Sequence, residues 1–182
     1  MHFDKIVLIG FKGSGKTKVG KLLSSATGWK FLDIDAVVEN MHAEAGHERE
    51  RARGIFYKFG GDYFRCLEGK AIEQVSKVKY EVVSLGGGTP MNQRFKKEEF
   101  GNAAFVHLDG RPDVIFERIM RKGIPPFFDK ENPRKSFDAL YAEREPHYKR
   151  LANFTVDNSG IPAEQACGMI CKLLGLDAEV QK

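Results

Sequence analysis

The sequence predicts a three-layer α/β sandwich, a five-stranded parallel sheet with helices on both faces. Three observations predict it. Short β-branched and apolar runs alternate with helical segments along the whole chain, which is the order that builds parallel sheets. The first run, Lys5–Ile9, is apolar without alternation, as expected of a strand covered on both faces. A glycine-rich turn follows that run and opens a helix.

The elements follow in order. After the strand over 5–9 and its terminating Gly10, a helix places Val19, Leu22 and Leu23 toward the core. Residues 29–34 form a second strand. Residues 36–53 are predicted helical, turning highly charged at Glu44–Arg53, and 62–77 are helical again. Residues 81–85 make a third strand, ended by Gly86-Gly87-Gly88. A fourth strand covers 103–108 and a helix 112–121. Residues 122–135, rich in Pro, Lys and Asp, are predicted to form a mobile loop. A helix over 136–150, a fifth strand over 153–157 and a closing helix over 162–175 complete the chain. There is no repeat, low-complexity stretch or linker, so residues 1–182 are expected to form a single domain.

Composition narrows the function. The 182 residues carry 29 basic and 25 acidic side chains, a formal charge of +4. That is too weak a bias to argue for nucleic acid and suits a small anionic ligand equally well. Cys66, Cys167 and Cys171 are odd in number and lack CxxC spacing, which disfavours a disulfide scaffold or zinc site and fits a reducing compartment. The start, MHFDKIVLIG, lacks a basic n-region and cleavage site, and no apolar run approaches the ~18 residues of a membrane span. A cytoplasmic monomer without nucleic-acid or membrane partners is the expectation.

Gly10-Phe11-Lys12-Gly13-Ser14-Gly15-Lys16-Thr17 matches G-x-x-x-x-G-K-[ST] at every fixed position, between a buried strand and a helix. The glycines let backbone N–H groups approach phosphate oxygens, and the helix N-terminus adds partial positive charge. Lys16 reaches the β- and γ-phosphates of a nucleotide, and the Thr17 hydroxyl is of the type that ligates Mg²⁺. The expected nucleotide contacts are Gly13, Ser14, Gly15, Lys16, Thr17 and Lys18. Asp33 and Asp35 flank Ile34 at the end of the second strand, where residues i and i+2 point to the same side. Two readings are open for the pair. An Asp there commonly caps the next helix. Beside a phosphate loop, one carboxylate can instead serve the metal and the other accept a proton from a hydroxyl. The strand over 81–85 ends without an Asp, which leaves Asp33 as the natural metal carboxylate.

With these motifs the chain resembles the shikimate kinases, small P-loop kinases with a lid, over nearly its whole length. Gly10–Thr17 is similar to the family's phosphate loop and Asp33-Ile34-Asp35 to its Asp-x-Asp. Gly60-Gly61-Asp62-Tyr63-Phe64-Arg65-Cys66-Leu67-Glu68 resembles Gly-Glu-x-x-Phe-Arg-x-x-Glu, with Asp62 in place of Glu. Gly86-Gly87-Gly88 resembles the glycine triplet, and Arg144-Glu145-Pro146-His147-Tyr148 the Arg-x-Pro-x-Tyr region. Val156-Asp157-Asn158 resembles Val-Asp-Thr.

The resemblance implies transfer of the ATP γ-phosphoryl to the 3-hydroxyl of shikimate, with Mg²⁺ as cofactor. Lys16 and Asp35 are then catalytic, and Thr17 and Asp33 hold the metal. Asp35, Arg65, Gly86, Gly87, Gly88 and Arg144 meet shikimate, while Arg118 and Asp157 lie near the adenine. It also implies substrate-binding helices at about 36–77 and a lid at about 121–135. By residue type alone, Arg65–Glu68 reads first as an ordinary surface pair, while Gly86–Gly88 is equally a plain turn and Arg118 equally part of a solvated helix face. His107 and His147 read as packed or surface histidines.

Two departures stand out. Pro125, within Ile124-Pro125-Pro126-Phe127-Phe128, occupies the family's lid arginine position. Arg121, Lys122, Lys130 and Arg134 are the nearby candidates for its charge. Glu44–Arg53 is longer and more charged than the family's segment. These departures motivate two alternatives: a kinase of another polyhydroxy acid such as gluconate, and a non-catalytic nucleotide-binding protein.

Overall fold

A computed structural model of the chain describes residues 3–176. Five parallel strands run β1 (Lys5–Ile9), β2 (Lys30–Asp33), β3 (Glu81–Ser84), β4 (Ala103–Asp109) and β5 (Phe154–Asp157), in the spatial order 2-3-1-4-5. Every β1 residue is buried, as an unalternating central strand requires. Its side chains divide between two cores, because successive residues point to opposite faces. Val7 and Ile9 join Val83 and Phe105 on one face, packed by α2 (Ile34–Glu44), α3 (Ala52–Lys77), α4 (Pro112–Met120) and α5 (Pro133–Leu151). Ile6 and Leu8 join Val82, Ala104 and Val106 on the other, covered by α1 (Lys16–Thr27) and α6 (Ala163–Leu174). The three-layer sandwich expected from the sequence is therefore the observed fold.

The order places β1 between β3 and β4, so the chain leaves β1 for one side of the sheet and crosses to the other after β3. Ligand crevices form at the carboxyl ends of strands where the order reverses in this way. The glycine-rich turn after β1 lies at that point.

The structure differs from the sequence reading in four places. The predicted helix over 36–53 ends at Glu44, and residues 45–51 are loop; Gly46 at φ 89° closes the helical path. The second helix starts at Ala52, ten residues before the predicted 62, and breaks at Gly60, whose φ of 85° and ψ of 165° are non-helical. The lid is helix-free only over 121–132, because Pro133 supplies a pre-set first helical residue for α5. Finally, Asp35 lies in the first turn of α2 rather than on the strand.

Candidate active site

The phosphate loop is tied down from several directions. Gly15 takes φ 99° at the N-cap of α1, a conformation that costs glycine little. A Cβ there would lie 2.6 Å from Asn158 Nδ2, so a side chain is excluded twice over. Asn158 Nδ2 donates to the Ser14 carbonyl at 2.8 Å and ties the loop to the end of β5. Lys16 is buried, and its ammonium donates to the Gly10 and Phe11 carbonyls at 2.8 and 2.9 Å. Burial pulls its pKa down to about 8, against the pull of Asp35 and Asp33.

Asp33 caps α2 with one oxygen and leaves the other to the phosphate loop. One carboxylate oxygen accepts the Asp35 backbone N–H at 3.1 Å and caps α2; the other accepts the Thr17 hydroxyl at 3.0 Å. The cap is what turns Asp35 back toward the loop. Asp35 faces the open cleft with protein around it on the remaining sides, and its pKa is raised to about 6. Desolvation is the main cause and the Asp33 charge adds to it; Lys12 and Lys16 oppose.

A second cluster is built on α3 and the turn after β3. Arg65 donates to Glu68 at 2.5 Å and to the Gly88 carbonyl at 3.3 Å. Glu68 is buried and also accepts from the Thr89 hydroxyl at 2.7 Å and the Asn92 amide at 3.0 Å. Three donors on one buried carboxylate make this an orienting device for Arg65 rather than a surface pair. Thr89 and Asn92 escaped the sequence reading, since neither belongs to a motif and both act through Glu68. Gly86 lies where a Cβ would stand 3.4 Å from Asp35 Oδ1 and 3.7 Å from Glu68 Oε1, which puts the acid and the arginine holder on either side of this turn. Arg144, on α5, spans the rings of Phe11 and Phe127 at 5.8 and 6.0 Å, and its buried Nε has no hydrogen-bond partner. Tyr148 beside it donates to the Gly87 carbonyl and joins α5 to the glycine turn.

These groups open on one cleft of about 940 Å³. Gly13, Gly15, Lys16, Thr17, Lys18 and Arg118 line it, together with Asp33, Asp35, Arg65, Gly86–Gly88 and Arg144. Arg118 donates to the Asn158 and Ser159 carbonyls at 2.9 and 3.4 Å, so its guanidinium is anchored at the rim. Two predicted residues are not among the lining. Ser14 is fully buried behind the loop. Asp157 accepts from the Ser159 backbone and hydroxyl and holds the turn, while its neighbour Asn158 faces the cleft. Asp157 lies at the end of a strand, where the next residue points the other way.

A family model described as shikimate kinase matches residues 12–174. The chain belongs to the shikimate kinase family. A shikimate kinase of Caldanaerobacter subterraneus subsp. tengcongensis is 37% identical over 160 residues, 88% of this chain and 90% of that one. One of Thermodesulfovibrio yellowstonii is 35% identical over 92% of each chain. The structure of shikimate kinase from Acinetobacter baumannii in complex with shikimate superposes with a TM-score of 0.82 at 26% identity, covering 97% of this chain and 96% of that one. As a member of the shikimate kinase family, the chain is an ATP-dependent small-molecule kinase of the aromatic amino acid pathway.

Proposed function

We propose that the cleft transfers the γ-phosphoryl of ATP to the 3-hydroxyl of shikimate, with the roles divided as follows. The observation that carries the reading is the position of Asp35 between the phosphate loop and the Arg65–Glu68 cluster. Shikimate carries a carboxylate and hydroxyls, and the one cleft offers guanidinium groups and a carboxylate to match them. Arg65, oriented by Glu68, and Arg144, with an unpartnered Nε, are the residues for the carboxylate, since guanidinium groups hold carboxylates through parallel hydrogen bonds. The turn at Gly86–Gly88 brings bare backbone to the ring. Asp35, with a pKa of about 6, is mostly ionised at neutral pH and accepts the proton of the attacking hydroxyl.

The hydroxyl oxygen forms a bond to the γ-phosphorus as the bond to the β-phosphate bridging oxygen breaks. ADP leaves with that electron pair, and the proton goes to Asp35. Lys16 leaves the loop carbonyls for the β- and γ-phosphate oxygens and offsets charge as it moves between them. Arg118 and Asn158 border the nucleotide end. Among the described residues no group of three or more His, Cys, Asp or Glu is arranged to hold a metal ion by itself. Mg²⁺ carried with phosphates needs only one or two protein oxygens, and Thr17 with Asp33 provides them at the cleft wall. The ion, when bound, neutralises phosphate charge.

Our reading extends to a cytoplasmic monomer, in keeping with the three free cysteines; light scattering on the purified chain checks the oligomeric state. Coupled ADP release with and without shikimate tests the activity. Release that depends on shikimate is expected. Release independent of it, or confined to gluconate as acceptor, overturns the reading.

A further inference from the structure

The centre of the lid carries no charge. Ile124–Phe128 is wholly apolar, and it turns Pro126 and Phe127 to the cleft. Of the four basic residues around it, Arg134 is engaged by Asp113 at 2.7 Å and by Asp138, and lies against the Phe116 and Phe137 rings. Arg121 pairs with Glu117 at 3.6 Å, and Lys130 is not among the lining residues. Lys122 alone of the four lines the cleft without a paired carboxylate among the described residues.

Two other cations do face the cleft at this level. Lys12, in the phosphate loop, makes no hydrogen bond or ion pair among the described residues. Its ammonium lies 6.0 Å from the Phe127 ring. Its backbone nitrogen abuts the glycine turn, where a Cβ on Gly87 would stand 3.0 Å away. Of the charged groups, Asp35 acts on it most strongly, followed by the like charges of Arg53 and Lys122. Arg53 comes from the first turn of α3, crosses to the lid and donates to the Ile124 carbonyl at 2.6 Å. It too lines the cleft and has no carboxylate partner among the described residues. Loop, helix and lid thus bring unpaired cations together beside the proton acceptor, an arrangement that an anion relieves.

We propose that Lys12 and Arg53 hold the phosphoryl group as it passes to the acceptor and remain its ligands in the phosphorylated product. Lys12 meets the phosphoryl oxygens directly; Arg53 pins the lid through Ile124 and adds its charge above them. This rests on the phosphoryl-transfer reading above and assigns to the loop and α3 a role that the apolar lid does not fill. It also gives the charged stretch Glu44–Arg53 a function, since Arg53, in the first turn of α3, is its last residue.

The test uses Lys12→Met, Lys12→Arg and Arg53→Gln, with Lys130→Ala as control, in steady-state kinetics and calorimetry with shikimate and shikimate 3-phosphate. Lys12→Met is expected to lower kcat about 10²-fold, the loss typical of one preorganised donor, with little change in KM for shikimate. Lys12→Arg restores most of that loss. Arg53→Gln lowers kcat and raises shikimate-independent ADP release, as a loosened lid should. Both neutral variants lose about tenfold in affinity for shikimate 3-phosphate while binding shikimate as the wild type does, a difference that misfolding does not produce. Wild-type kcat and product affinity in both variants overturn the proposal and leave the activity standing. A wild-type enzyme without shikimate-dependent ADP release overturns both.

Discussion

At the scale of single residues, the site runs on two displaced pKa values. Asp35 is raised to about 6 by burial and Lys16 lowered to about 8, so both sit within reach of neutral pH. The acid limb of kcat/KM should therefore rise through about pH 6, measured against shikimate at saturating ATP. The same shift has a sign for stability. A carboxyl with a raised folded-state pKa costs nothing while protonated; the cost sets in as pH climbs from about 4 to about 6 and is complete above. Asp35→Asn is therefore expected to abolish most turnover yet raise the melting temperature at pH 8, with the gain gone at pH 4. Asp33→Asn should behave differently. An amide oxygen still caps α2, so stability stays within about 1 kcal/mol of wild type. The loss falls on the apparent Mg²⁺ affinity, read from a metal titration of turnover. Lys16→Ala should cost at least about 10²-fold in kcat, and near-normal turnover there would contradict the role given to the loop.

Among the elements, α3 matters most because it is two helices in one. The stretch before Gly60 carries Arg53 and Phe56 to the cleft; the stretch after it carries Arg65 and Glu68. Gly60 sits at φ 85° and ψ 165°, a region open essentially to glycine alone, with no atom near enough to clash with a Cβ. Gly60→Ala thus tests backbone strain with no steric term. A loss of about 1–3 kcal/mol is expected, several degrees in melting temperature for a domain of this size. KM for shikimate should rise with it, because the two halves can no longer present both sets of side chains to one cleft. An unchanged melting temperature would show that the helix tolerates continuity.

For the whole molecule, the consequence of the topology is a cleft whose walls belong to separate parts of the chain. The phosphate loop follows β1, the acid opens α2, the arginines come from α3 and α5, and the lid lies between α4 and α5. Closing such a cleft excludes water from the transferring phosphoryl. Phe127, partly exposed and packed edge-on against the buried Phe128, is with Pro126 an apolar contact of the lid with the cleft. Phe127→Ala should raise ADP release in the absence of shikimate severalfold while the melting temperature barely moves. If the background release stays at the wild-type level, the lid excludes water by other residues.

Local rules were enough for much of this protein. Helix and strand periods, together with one uninterrupted apolar run, determine the α/β sandwich, because each element must bury its own apolar face whatever lies around it. The phosphate loop is equally legible, since glycine spacing and a terminal Lys-Thr work through backbone geometry within eight residues. What the sequence could not decide depended on contacts between distant segments. By sequence Asp33 was a helix cap or a metal carboxylate; the fold shows the cap and brings the Thr17 hydroxyl to its second oxygen, a contact no local pattern announces. Arg65–Glu68 was indistinguishable from a surface pair until Thr89 and Asn92, more than twenty residues on, closed around the glutamate. Residues 45–51 read as helix because their charges suit a solvated helix face, and only the turn at Gly46 breaks it. Arg53 shows the limit most plainly. Its partner is a backbone carbonyl 71 residues away, a group every residue carries, so no pattern of side chains along the chain could have announced it.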